Sequence, residues 1–151
     1  MEFYNKSEKD GDGMAVEWNI PKIDWKMTDR FNLDDYNRIK NNLQWLHEKV
    51  SELYNPFNIV DMGEDIIDYS SYWNVDYFNA WEQNLDIIND HMFSKDYGVA
   101  QSFFENGPFI QWTELNRIEG AILSMRDILD MQEKGLRKFP FVLGRYKGIR
   151  I

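Results

Sequence analysis

Three stretches of this chain repeat their apolar positions at alternating steps of three and four. Tyr36, Ile39, Leu43, Leu46, Val50 and Leu53 form the first; Phe78, Trp81, Leu85, Ile88 and Met92 the second; Leu115, Ile118, Ile122, Met125 and Leu129 the third. Side chains three and four apart share one face of an α-helix, so each stretch predicts an amphipathic helix with its stripe turned to a common core. Heptad-like spacing suits shallow packing angles, parallel or antiparallel. The predicted fold is therefore mainly α, a three-helix bundle with helices at about 33–54, 75–93 and 113–134.

Local signals set the boundaries. Asn32 or Asp34 can cap the first helix, and Asn55-Pro56 stops it. Asn74 or Asp76 starts the second, which ends near Ser94 to Gly98; Thr113 caps the third, and Gly135 stands where a C-terminal glycine belongs. Between and beyond the helices the pattern loosens. Apolar residues flank Asn106-Gly107-Pro108, and Phe139 to Ile151 alternates around Gly144 and Gly148, so minor β structure is expected in 99–112 and 139–151. The chain divides into an N-terminal arm and extended segment (1–27), a helical domain (28–134) and a basic C-terminal segment (135–151).

Within the helical domain the sequence repeats. Asp35-Tyr-Asn-Arg-Ile-Lys40 aligns with Glu114-Leu-Asn-Arg-Ile-Glu119, and the stripes stay in phase over 35–50 and 114–129. Two amphipathic helices always match at apolar positions, but the shared Asn-Arg-Ile after an acid is not explained by periodicity. Each copy follows an aromatic lead, Trp25 to Phe31 in one and Phe109 to Trp112 in the other. An asparagine in a first helical turn can bond the chain leading into the helix, and an arginine can grip a carboxylate with two N–H groups. Asn37, Arg38, Asn116 and Arg117 thus brace the lead-in, or else make equivalent contacts to a partner.

An aromatic lead, a small cap and then Leu115-Asn116-Arg117-Ile118-Glu119 resembles a helical module of tail-associated structural proteins, at the baseplate or fibre attachment, of phages and prophages of Gram-positive bacteria. The match covers Trp112 to Glu119; in Phe31 to Lys40, Lys40 replaces the glutamate and Tyr36 the leucine. The resemblance implies a non-enzymatic virion component near the tail tip or baseplate. Such a component is assembled in the bacterial cytoplasm and acts through contacts with other copies of itself or with other virion tail proteins. The long distal fibre domain that often follows such modules has no counterpart in this sequence.

Composition narrows the chemistry. The 151 residues contain no cysteine and two histidines, His47 and His91, which excludes disulfides, thiol nucleophiles and thiolate metal sites. No apolar run approaches the roughly 20 residues that span a bilayer, so no membrane partner is expected. Twenty-six acids against 17 bases give a net charge of −9, which argues against direct nucleic-acid binding. The charge is split: Lys134 to Ile151 carries six bases and no acid, leaving −15 on residues 1–133. An acidic body with a basic end favours docking between copies or onto an acidic partner. The same acidity supports a second reading, a small phage-encoded inhibitor that mimics nucleic acid and binds a basic host protein.

No catalytic set emerges, and no cofactor or small-molecule substrate is expected. Glu8, Asp10, Asp12 and Gly13 follow part of a calcium-loop spacing, but Asn19 stands where the final glutamate belongs. Asp61, Glu64, Asp65 and Asp68 share a face if that stretch is helical, either as a magnesium site or as a seat for the basic segment. Aromatics are 16% of the chain, with tryptophans at 18, 25, 45, 73, 81 and 112. Trp81 lies on a stripe and belongs to the core, while several others lie in lead-ins and loops, where interface anchors are common. The interface candidates are Trp25, Phe31, Asn37, Arg38, Trp112, Asn116, Arg117, Arg145, Lys147 and Arg150.

Overall fold

In a computed structural model, which describes residues 16–68 and 75–138, the chain is mainly helical. The described residues form three helices, α1 (Leu33–Leu53), α2 (Val75–Asp90) and α3 (Trp112–Lys138), each packed against the other two. Their stripes supply the core as expected: Ile39, Leu43, Leu46, Val50, Trp81, Ile88, Ile118, Ile122 and Met125 are all 0% exposed.

The helices are parallel. Tyr36 and Tyr77, in the first turns of α1 and α2, lie 5.7 Å apart, and Phe31 and Phe109, just ahead of α1 and α3, lie 5.8 Å apart. Further along, the Arg126 guanidinium of α3 lies 5.7 Å from the Trp45 ring of α1. Parallel helices need a return connection, and each one is preceded by a non-helical segment that runs back along its neighbours.

The expected boundaries hold at α1. Asn32 caps it, its side chain accepting from the Asp35 N–H (3.1 Å) while the Asp35 carboxylate accepts from the Asn32 N–H (3.0 Å). Elsewhere they shift. α3 begins at Trp112, with the Gln111 carbonyl taking the Leu115 N–H, so Thr113 lies inside the first turn; Gly135 lies inside the helix, which runs on to Lys138. α2 ends at Asp90, ahead of Ser94 at φ 55°. Asp76 is in its first turn, and Asn74 lies outside the described residues.

No strand occurs among the described residues, so the β structure expected in 99–112 is absent there; 139–151 lies outside them. The reason is visible at Phe103, whose N–H and carbonyl bond not another backbone but the side chain of Asn79, at 2.8 Å each. A tight turn, Gly107 N–H to Phe104 carbonyl (2.9 Å), follows without a paired strand.

Candidate functional site

Asn79 belongs to a system. A carboxamide carries one acceptor and one donor side by side, the pair that an extended residue presents along one edge. Among the described residues six asparagines use it this way, each gripping the N–H and carbonyl of a single residue: Asn37 on Ile66, Asn42 on Asn19, Asn79 on Phe103, Asn84 on Val60, Asn89 on Lys95 and Asn116 on Trp25. The distances run from 2.7 to 3.1 Å. Asn37 and Asn116 were expected to bond the lead-in of their own helix. Instead Asn37 holds the segment after α1, and Asn116 holds a residue 91 positions before it.

The clamps reveal that the repeat has three copies. α1, α2 and α3 begin at equivalent places, Leu33, Val75 and Trp112, offset by 42 and 37 residues. In that register Asn37, Asn79 and Asn116 coincide, as do Ile39, Trp81 and Ile118, and Lys40, Glu82 and Glu119. A second clamp position holds Asn42, Asn84 and Ala121. Two return segments are pinned by their own helix and by the preceding one, Asn19 and Trp25 by α1 and α3, Val60 and Ile66 by α2 and α1; the segment ahead of α3, which has Ala121 at the second position, is clamped by α2 alone, at Lys95 and Phe103. Segment and helix form one unit, and three units close into a ring around the core.

Arginines tie the units together. Glu119, 0% exposed, accepts Arg38 Nε at 2.9 Å and Nη2 at 2.7 Å, the Trp25 indole N–H at 2.7 Å and the Lys22 backbone N–H at 2.9 Å. Arg38 also bonds Asp35 at 2.8 Å. With four donors on two oxygens the buried carboxylate is fully engaged, the condition under which a buried charge is tolerated. At the next seam Arg117 bonds Glu82 while donating to Glu114 at 2.8 Å, and Glu82 Oε2 also takes the Gln101 N–H at 3.1 Å. The third seam has neither partner: Ala80 replaces the arginine and Lys40 the glutamate, and Lys40 turns to Asp65 (2.6 Å) and the Gly63 carbonyl (3.1 Å).

Glu82 differs from Glu119. Its Oε1 is buried with no hydrogen-bond partner, and burial pushes its carboxyl above the usual range, against the pull of the Gln101 N–H and Arg117. It lies in a cleft of about 530 Å³ along α2, lined also by Asp76, Asn79, Gln83, Asp86 and Gln101, with no basic residue in its walls among the described residues.

The interface candidates divide by position. Trp25 is 3% exposed, inside the core, and Asn37, Arg38, Asn116 and Arg117 spend their polar atoms on the contacts above. Phe31 is half-buried and joins an aromatic cluster with Phe78, Trp81 and Phe109 at 5.8 to 6.2 Å. Trp112, 39% exposed, lies at the end where the three helices begin, with Met27 (80%), Phe104 (64%) and Phe109 (49%). Two adjoining clefts there share Phe109: one is lined by Met27, Phe31 and Trp112, the other by Phe103, Phe104 and Pro108. Arg145, Lys147 and Arg150, Trp73, and the calcium-like residues Glu8 to Gly13 lie outside the described residues.

The remaining candidates resolve locally. Residues 55–68 are not helical, so Asp61, Glu64, Asp65 and Asp68 share no helix face. Asp61 accepts the Gly63 N–H (2.9 Å), Asp65 pairs with Lys40, and no cluster of three potential metal ligands occurs among the described residues. The structure does bring the two histidines to one ring, Phe57: His91 stacks on it at 4.0 Å and His47 meets it edge-on at 4.8 Å. His47 Nε2 also lies 2.6 Å from the Phe57 carbonyl, so both histidines fasten the return segment after α1.

No described helix is long and apolar enough to cross a membrane. The sequence matches no family model, no curated protein and no solved structure.

Proposed function

We propose that this chain is a non-enzymatic assembly or adaptor protein of a phage or prophage particle, at the tail or baseplate, working through protein–protein contacts with its own copies or with other tail proteins. The observation that carries the reading is the apolar end of the helical body. Single exposed apolar residues are ordinary, but Met27, Phe104, Phe109 and Trp112 stand at one end around adjoining clefts, and contiguous patches of this kind mark interaction sites. Aromatic residues and methionine are the side chains enriched where such patches are buried by a partner. The Leu115 to Glu119 module supplies the tail-associated context. The clamps and buried ion pairs give the patch a rigid base, and rigid elements lower the ordering cost of association.

Immunogold labelling of purified particles tests the assignment. Label at the tail end is the expected result, and particles that lack the chain would overturn it. Met27→Asp with Phe104→Asp, at the most exposed apolar positions of this end, should abolish incorporation while leaving the circular dichroism spectrum unchanged.

A further inference from the structure

Arg38 and Arg117 each hold two carboxylates, whereas Arg126 of α3 makes no hydrogen bond or ion pair among the described residues. Its guanidinium lies 5.1 Å from the Trp18 ring and 5.7 Å from the Trp45 ring. Indole faces attract the cation but accept none of its in-plane hydrogen bonds, which suit a carboxylate met along the edge. Nε is buried without an acceptor, and it alone of the three nitrogens is shut off in this way. Arg126 lines a cleft of about 130 Å³, room for one side chain, with Trp45, Lys49 and Leu53 of α1 and Leu129 of α3. The acids in its wall are engaged already, Asp130 with Lys134 at 3.0 Å and Glu133 with a partner of its own. Lys49 pairs with Glu52 at 3.6 Å. The cleft therefore joins apolar walls to a cation whose terminal donors are unused.

The complementary group stands at the other end of the molecule. Glu105 is exposed and makes no hydrogen bond or ion pair among the described residues. It follows Phe104, 64% exposed, in the turn that the Gly107 N–H closes on the Phe104 carbonyl. Other acids of that end are occupied: Asp29 by Lys22, Asp35 by Arg38 and Glu114 by Arg117. The turn lies where the helices begin, whereas Arg126 is about 20 Å along α3 from Trp112 and Leu53 is the last residue of α1. Glu105 thus cannot reach the cleft of its own molecule.

We infer that Arg126 of one copy receives the Glu105 carboxylate of a second copy, with Phe104 of that copy set against Trp45 and Leu53. A free carboxylate and a free guanidinium edge make the strong, paired kind of hydrogen bond, and an exposed aromatic beside the acid is covered in the same contact. The two faces differ, so the contact is heterologous, and repetition builds a ring or a filament rather than a closed two-fold dimer. This inference rests on the assembly reading and names the partner as a second copy of the chain.

The test is sedimentation velocity on the full-length protein over a concentration series. Reversible self-association is expected, weakening about tenfold or more between roughly 50 and roughly 500 mM salt. Glu105→Arg, at an exposed position without a partner, should leave the melting temperature unchanged and abolish association, and Arg126→Glu should abolish it too. Mixing those two variants restores opposite charges at every contact, so association should return, and it should return in the single chain that carries both changes. Should Arg126→Glu fail to fold, Arg126→Gln replaces it and should weaken association by about tenfold or more. A wild type that stays monomeric, or a Glu105→Arg protein that associates like wild type, would overturn the inference. A monomer whose melting temperature falls equally with Arg126→Gln and with Glu8→Gln, Asp10→Asn and Asp12→Asn would overturn it in favour of the chain's own N-terminal acids. Gold labelling of particles does not depend on association in solution, so the two readings fail separately.

Discussion

Arg38 and Glu119 meet across the α1–α3 seam through two parallel N–H···O bonds of 2.9 and 2.7 Å, and the carboxylate is wholly buried. Arg117 and Glu82 repeat the pairing across the α3–α2 seam from equivalent positions. The repetition shows that the ion pair belongs to the unit and is not an accident of one contact. The pair at Glu119 also receives the Trp25 indole and the Lys22 backbone, so it joins two helices and a return segment at a single point.

Breaking that junction from one side should be expensive. Arg38→Met leaves Glu119 charged and buried without its main partner, and a loss of about 3–5 kcal/mol is expected in urea unfolding. Arg38→Met combined with Glu119→Leu should cost clearly less than the sum of the single changes. An additive double-mutant cycle would show that the two residues are not coupled.

The clamps are testable one at a time. Asn116→Ala strands the N–H and carbonyl of Trp25, and Asn84→Ala those of Val60. Each orphaned backbone group that stays shielded from water costs about 1–3 kcal/mol. The Trp25 clamp should be the costlier, since Trp25 is 3% exposed whereas Val60 is 37% exposed. Equal midpoints for the two variants would contradict this ranking.

Gly98 has φ +91°, and a Cβ there would meet Arg117 Cδ at 2.7 Å. Gly98→Ala therefore combines backbone strain with displacement of the arginine that holds Glu82, and a loss of about 1–3 kcal/mol is expected. In a Glu82→Gln background the same substitution should cost less. An unchanged penalty would separate the glycine from the ion pair.

Glu82 also sets a pH dependence. Its carboxyl titrates higher in the folded chain than in the unfolded one, chiefly through burial. The stability this shift contributes is fully present below the unfolded value near 4.5 and is lost as pH rises through the raised folded value. Relative to wild type, Glu82→Gln should therefore gain stability as pH increases across that window. Parallel profiles of the two proteins would exclude the effect.

The helical stripes were fully legible in the sequence, because Ile39, Leu43, Ile118 and Ile122 recur at a period that physics ties to one face. Asn37 and Asn116 were legible as a repeated pair, but their partners were not: Ile66 and Trp25 are chosen by the closing of the ring, which no local pattern encodes. The third copy is masked in the sequence because Trp81 and Ala80 stand where isoleucine and arginine stand elsewhere. The signal was nevertheless present in Phe78-Asn79 and Glu82, an apolar residue and an asparagine followed three positions on by glutamate. Segment 99–112 looked β-like because extended residues that lie in a helical groove alternate as strands do; only the identity of their hydrogen-bond partners tells the two apart.

The closed ring also fixes an order of folding. Val60 and Ile66 reach their clamps across 24 and 29 residues, whereas Trp25 reaches Asn116 across 91 and Lys22 reaches Glu119 across 97. Loop closure grows logarithmically with length, so sealing the α1–α3 seam costs about 1 kcal/mol more than seating an internal segment. By loop closure alone the seam is therefore the last to form, and the four donors on Glu119 hold it once it has closed. In hydrogen exchange the Trp25 amide then reports the opening of the whole ring, and everything that Glu119 holds together is released in that one event.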